Sequence, residues 1–286
     1  MPTCVLRGVL AATLLATGWV ASITRPAVAA EGGKPLFELG VMGGGGYLPD
    51  YPAAGESQFR GLALPYIAYR GEVLRSDEKG LLRGRLIHTD DVEFDISLNG
   101  SFPVDSDDND DRRGLPDLDW LGEIGLRVQF TMARAPGGSA KIDLELPVRA
   151  VFSTDLSDWN YRGIVVAPGI AYQHENFLGD NTKIKLGIGA SFATTELTEY
   201  FYEVEPRFAT ANRSAFSADA GYLGSNIQLV AFKSFTSRWR AFAGLKLDLH
   251  HGAANEDSPL FKDKTTFSAG LGIIWSFYQS EARERD

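Results

Sequence analysis

The chain is poor in features that would otherwise decide its class. It has a single cysteine, Cys4, which falls in the N-terminal leader, so the exported chain carries no thiol and forms no disulfide. An exported protein without cross-links needs a closed sheet or a large core to hold it. Beyond the leader no apolar run approaches the ~18 residues of a spanning helix, which excludes a helical membrane protein. Basic residues are also in deficit. The 28 of the whole chain, less Arg7 and Arg25 of the leader, leave 26 against 37 acidic ones, a balance of −11. Such a surface releases no counterions on binding nucleic acid, so no nucleic-acid partner is expected.

The leader itself is informative. Arg7 gives a positive start, Gly8 to Ile23 is mostly apolar or small, and "RPAVAA" ends in the small residues a signal peptidase reads. Residues 1–30 read as a secretory signal peptide. Cys4 precedes the apolar stretch, so there is no lipobox.

What remains alternates with a period of two. In "TFSAGLGIIWSF" Phe267, Ala269, Leu271, Ile273, Trp275 and Phe277 fall on one face and Ser268, Gly270, Gly272, Ile274 and Ser276 on the other. The same parity sets Val92, Phe94, Ile96 and Leu98 against Glu93, Asp95, Ser97 and Asn99. It sets Ile124 to Phe130 against Glu123, Arg127 and Gln129, and Ile142 to Phe152 against Asp143, Glu145 and Arg149. It also sets Ile184 to Phe192 against Lys183 and Lys185. Segment 162–173 fits as well. Parity is weaker over 37–47, 59–70, 80–88, 214–223, 225–234 and 238–250.

These segments predict about twelve strands, an even number, many near the ~9–11 residues that cross a bilayer when tilted. A soluble sandwich or calyx also alternates. Strand length, aromatics near strand ends (Tyr47, Tyr69, Phe152, Tyr172, Phe192, Trp239, Trp275, Phe277) and charges of both signs on the polar face favour a membrane barrel. The expected fold is all-β, a transmembrane antiparallel β-barrel over residues 31–277 with a polar tail over 278–286. Glu93, Asp95, Glu123, Asp143 and Glu145 are expected to pair with Arg127, Arg149, Lys183 and Lys185. That predicts an occluded lumen, because buried charge of one sign is expensive.

Catalytic and metal motifs fare poorly. "SFPVDSDDNDDRRGLPDLDWLGEIG" holds seven aspartates between Asp105 and Asp119. Its spacing departs from a calcium loop at Asp110, where glycine belongs, and at Pro116, where glutamate belongs. A looser calcium site stays open, and so does a flexible turn. Gly114, Pro116, Leu115, Leu118 and Trp120 favour a structured loop. "GVMGGGGY" lacks the Lys-Ser/Thr ending of a phosphate loop, and its glycines suit close backbone approach in a strand. His88, His174, His250 and His251 match no catalytic spacing, so no enzymatic activity, cofactor or metal site is expected, and a Ser–His barrel hydrolase is the rival. "FATTELTEYFYEVEP" and "HHGAANEDSPLF" read as ordered loops. Candidate partner-binding residues are Asp105, Asp107, Asp108, Asp110, Asp111, Asp117, Asp119 and Trp120, with Glu196, Tyr200 and Tyr202 on the second loop. Trp275 and Phe277 are the candidate outer-membrane insertion signal.

These stretches, with "GYLPDYPAAGESQFRGLALPYIAYR", "LELPVRAVFSTD", "YQHENFLGD", "GYLGSNIQL" and "GLGIIWSF", resemble the MipA/OmpV family over essentially the whole exported chain. The resemblance implies a non-enzymatic outer-membrane protein that joins a murein hydrolase (a lytic transglycosylase) to a murein synthase in peptidoglycan metabolism. Other members are linked to adhesion or stress response. One departure is the tail "YQSEARERD" after Phe277, where such barrels end on an aromatic residue. Localisation follows as the outer membrane of a Gram-negative cell envelope, with its lipid as a partner. With twelve strands as read, 101–119 and 194–213 fall on the periplasmic side, as a scaffold for cell-wall enzymes requires. The alternative, a surface adhesin or small-solute pore, needs them outside.

Overall fold

The computed structural model describes residues 33–283 apart from 71–73, 78–79, 85–86, 89–90 and 178, and no side chain between 71 and 90. The expected signal peptide over 1–30 lies outside the described residues. The strands are β1 (Phe37–Pro49), β2 (Ser57–Arg70), β3 (Leu74–Asp77), β4 (Gly80–Gly84), β5 (Ile87–His88), β6 (Val92–Ser101) and β7 (Trp120–Arg134). They continue as β8 (Ala140–Thr154), β9 (Trp159–Val166), β10 (Gly169–Glu175), β11 (Thr182–Ala193), β12 (Gly221–Ser234), β13 (Trp239–Leu249) and β14 (Thr265–Gln279). One helix, α1 (Thr195–Tyr202), follows β11. Among the described residues no helix is long and apolar enough to cross a membrane.

The strands form one 14-stranded sheet in which neighbours pair antiparallel along the chain, and β1 pairs with β14 from Glu38–Gln279 to Tyr47–Ala269. β4 lies against β6, so the sheet returns on itself as a barrel. Two places in the ring are shared. β9 pairs with the end of β8 from Val148 to Thr154, whereas β10 pairs with its start, and Pro168, which has no N–H to give the ladder, marks the break between them. β4 pairs with β3 and β5 with β6, filling one place between them. Fourteen strands with two shared places make twelve crossings.

The count agrees with the sequence reading, but its members differ. Residues 214–223 are not a strand of their own, since Gly224 alone cannot reverse a chain. β12 runs straight through from Gly221 to Ser234, and 214–220 turns inward, bridging Phe216 to Val204. The short β3 takes its place in the tally. The C-terminal boundary moves too, because Tyr278 and Gln279 continue β14 beside Leu39 and Glu38.

This exchange of strands inverts the expected topology. Residues 102–119 now join the fifth and sixth crossings and 194–220 the ninth and tenth. Both therefore lie at the end where Pro49 meets Ser57, opposite the bridge between Pro35 and Arg283. Connections at the Pro35 end are short, such as 135–139 and 235–238, whereas the long ones, 50–56, 102–119, 194–220 and 250–264, all lie at the other end. In bacterial barrels short turns are periplasmic and long loops extracellular.

The faces fall as the period of two requires. Leu126, Leu146, Ile188, Ile227, Leu245, Leu271 and Ile273 point outward and stay exposed. An apolar belt of that extent is untenable in water and suits lipid. Aromatics edge it at both ends. Phe152 meets Tyr161 and Phe192 meets Tyr222 near the long loops, while Trp239 stacks on Trp275 at 5.6 Å near the short turns. The glycines of β1 serve close approach. A Cβ on Gly44 would sit 2.7 Å from the Leu271 carbonyl oxygen.

Inside, charge is paired. Arg127 grips Asp95 with Nε at 3.0 Å and Nη2 at 2.6 Å, Arg149 donates to Glu123 at 2.7 Å, and Lys185 donates to Glu145 at 2.7 Å. Asp143 pairs with Lys141 (2.8 Å) and Lys183 with Glu175 (2.5 Å), partners the alternation did not supply because they sit two residues away or on a turn-proximal strand end. A further triad joins Glu38 to Arg70 and Arg240 under an apolar cluster of Met42, Tyr66, Ala68, Phe242 and Ile274.

Candidate functional site

Four long loops, 50–56, 102–119, 194–220 and 250–264, fold together into a cap over one mouth of the barrel. Their apolar residues make the largest buried cluster of the molecule. It holds Tyr51, Val104 and Leu118, then Leu197, Phe201 and Tyr202 of α1, and Phe261, packed on Val151, Val165 and Leu223 at the strand ends. Most of the chain's core therefore lies in its loops, since the barrel itself has a polar interior.

Polar groups lock the loops to one another. The Tyr51 hydroxyl donates to the Leu260 carbonyl at 2.8 Å, the Tyr202 hydroxyl to Pro52 at 2.9 Å, and Ser258 to the Tyr202 carbonyl at 2.7 Å. Burial pushes both phenols above their ordinary pKa and holds them neutral as donors. Arg112 is the hub. At 4% exposure it donates to Ser106 Oγ, Phe201 O and Pro116 O and lies 5.5 Å from the Tyr51 ring. Burial lowers its pKa, yet a guanidinium stays charged regardless. Arg213 donates to the carbonyls of Asp111, Arg113 and Phe208, and Asn255 brackets the backbone of Asp219.

The acidic segment is thus a folded part of the cap, which sets aside the flexible-turn reading. Asp105 accepts from the Asp107 amide and caps a 3-10 turn over Ser106–Asp108. Asp117 accepts from the Ser106 amide, Asp110 pairs with Arg113 and Asp111 with Lys262. Buried Asn109 donates to Asp50, which also holds Gln58 and Arg60. Most of these carboxylates build the fold, while Asp107 and Asp108 stand exposed. Among the described residues no group of three or more His, Cys, Asp or Glu is placed to hold a metal ion.

Other candidate residues separate. Trp120 opens β7 and packs on Phe102 at 5.4 Å. Glu196 is exposed on α1, its carboxyl held low by the Thr194 hydroxyl. Tyr200 is half-buried, with its hydroxyl accepting from the Asp119 amide and Arg162 4.4 Å over its ring. Tyr202 is corrected: at 1% exposure it is a core residue of the cap and presents nothing to a partner. Trp275 and Phe277 contact each other on the outer face near the short turns. His174 lies between Tyr172 and Phe177 with Nδ1 on the Glu175 carbonyl, the setting of an interfacial residue. His250 is buried between Leu223 O and Thr266 Oγ1. The side chain of His88 lies outside the described residues.

Beneath the cap is a cavity of about 420 Å³, with Tyr51, Leu118 and Phe201 above and Asn99, Glu123, Arg149 and Lys246 below. A second space of about 200 Å³ lies nearer the short turns, among Arg127, Lys141, Glu145 and Lys185. Sequence reasoning missed both. The one available signal was the apolar content of the loops, which a merely solvated loop does not need.

A closed antiparallel barrel with an oily belt, aromatic girdles, a paired polar interior and long loops at one end defines an outer-membrane β-barrel protein. The chain belongs to the MipA family: residues 40–277 match the family described as MltA-interacting protein MipA. No curated protein matches it. Among solved structures it is similar to an outer-membrane channel from Pseudomonas putida F1, at 14% identity over 89% of this chain and 100% of that one, TM-score 0.44. It is also similar to the NanC porin, at 9% identity over 83% and 98%, TM-score 0.37. Likeness at that level carries no argument about what the lumen does.

Proposed function

We propose that this protein is a non-enzymatic interaction scaffold of the outer membrane that tethers a murein hydrolase of the lytic transglycosylase class and, through it, a murein synthase. The observation that carries the reading is the filling of the barrel. Among the described residues its lumen carries internal ion pairs and its mouth is capped by loops bonded to one another, so the fold suits holding a partner better than passing solutes. The family's description supports a cell-wall enzyme as that partner.

The contact surface moves from where the sequence reading put it. A periplasmic enzyme meets the short-turn rim, where Phe235 stands exposed in the 235–238 turn beside Arg238 and Lys233. Aromatic side chains and arginine are enriched at protein interfaces, and Phe235 with Arg238 supplies both. Trp275 and Phe277 on the same rim remain the proposed insertion signal, read although β14 continues past them. A second reading, a surface-facing adhesin, draws on the exposed carboxylates of Asp107 and Asp108.

Pull-down from detergent-solubilised envelopes separates the two. The scaffold reading expects murein enzymes with the wild type and with Asp107→Asn/Asp108→Asn, and their loss with Phe235→Asp/Arg238→Glu. Loss with the cap variant alone would put the enzyme contact on the cap instead of the rim, and recovery from none removes the scaffold and leaves the surface reading.

A further inference from the structure

We infer that the cavity under the cap is a binding site for a neutral, hydroxyl-rich small molecule, a mono- or disaccharide in chemical class. Its volume of about 420 Å³ lies within the ~300–1,000 Å³ of ligand pockets. It is open to solvent from the lumen, because Lys246 lines it yet keeps 45% of its side chain exposed, and inward-facing Asn99 is exposed as well.

Its chemistry excludes ions first. Three of its carboxylates already hold a cation: Asp50 with Arg60 at 2.9 Å, Glu123 with Arg149 at 2.7 Å, and Asp248 with Lys246 at 2.8 Å. An anion entering would have to break one of these pairs in a partly desolvated place, and a metal cation would find, among the described residues, no group of three or more ligands. A neutral ligand leaves them intact and uses their spare lone pairs and N–H groups. Asn99 is held against Glu123 at 2.9 Å, which makes a fixed planar array of donors and acceptors beside Arg149. Asp119 at the cavity's upper edge adds a carboxylate to which, among the described residues, no side chain or amide donates. The two oxygens of an unengaged carboxylate suit a vicinal diol, and charge-assisted hydrogen bonds of that kind are the strong ones. Leu118, Tyr51, Phe201 and Leu223 also line the cavity and give it the apolar share that the C–H face of a sugar ring needs.

The test uses the full-length protein in detergent micelles and isothermal titration with four probes: glucose, N-acetylglucosamine, maltose and N,N′-diacetylchitobiose. Phosphate and phenylalanine serve as an anionic and a zwitterionic control. At least one saccharide is expected to bind saturably. Its affinity should fall about tenfold or more in Asp119→Ala and in Asn99→Ala, each of which removes a ligand contact. Ser268→Phe, which fills the cavity from β14, should abolish binding. Unchanged thermal unfolding of Asp119→Ala shows that the cap stands, since that carboxylate holds no part of it. Absence of saccharide binding, tighter binding of phosphate or phenylalanine, or equal affinity in all three variants would overturn the inference.

Discussion

Replacing Arg112 tests whether the cap is one packed unit. Arg112→Met removes a buried guanidinium, its hydrogen bonds to Ser106, Phe201 and Pro116, and its place over Tyr51. The Pro116 carbonyl keeps the Ser106 hydroxyl at 2.8 Å, so the acceptor stranded is Phe201 O. A stranded buried carbonyl costs about 1–3 kcal/mol, and lost hydrogen bonds from a charged donor about 1.5–3 kcal/mol each. Relief from burying a cation with no carboxylate bonded to it offsets part of that sum. The net is about 2–3 kcal/mol, for methionine refills most of the volume. The cap then opens about 30- to 150-fold more often at equilibrium. Limited proteolysis reads that population directly when reclosing outpaces cleavage. Cleavage within 102–119 should accelerate by that factor in Arg112→Met while the barrel still resists unfolding in cold detergent. Arg113→Met is the control, because its pairing with Asp110 is exposed at 65% and 79% and surface pairs matter little. Equal protease resistance of Arg112→Met and wild type would refute the idea that Arg112 ties loops 50–56, 102–119 and 194–220 together.

Three further outcomes are expected. Asp95→Asn removes the two-pronged carboxylate partner of Arg127, whose ion pair with Glu145 is long at 4.0 Å, and should lower barrel stability by about 3–5 kcal/mol, read as an earlier heat-induced shift on detergent gels. Asp155 accepts from the Ser157 and Asp158 amides and the Ser157 hydroxyl, which depress its pKa to about 2. Because the folded value lies below the ordinary ~3.9, this turn's extra stability is complete above pH ~4 and fades as pH falls toward 2; a carboxyl titration of Asp155 centred near 4 would count against it. Reconstituted in planar bilayers, the protein should show no large, stable single-channel conductance.

The outward belt was legible because lipid imposes a period of two on every crossing, and the interior pairs followed, since Asp95, Glu123 and Glu145 face Arg127, Arg149 and Lys185 at matching heights. Sidedness was not legible. It hung on whether Leu74–Asp77 is a strand and whether Gly224 is a turn, and that exchange reverses the loops lying between those two places. The triad of Glu38, Arg70 and Arg240 was hidden by distance, for its members come from β1, β2 and β13. Cap residues were misread for a related reason. Tyr202 looks like a surface aromatic in "TELTEYFYEVEP", and only the fold shows Pro52 and Ser258 arriving from distant loops to bury it. The same holds for Ser106 and Thr198, at 1% and 0% exposure, which a loop reading would treat as accessible.

Which compartment the cap enters is the most direct measurement. Cys4 is the sequence's one cysteine, so Asp108→Cys on the cap and Thr236→Cys on the short-turn rim, each made together with Cys4→Ser, are single-thiol variants. On intact cells an impermeant maleimide should label Asp108→Cys fully, and Thr236→Cys only after the outer membrane is permeabilised. Labelling of Thr236→Cys on intact cells with Asp108→Cys protected would contradict the account.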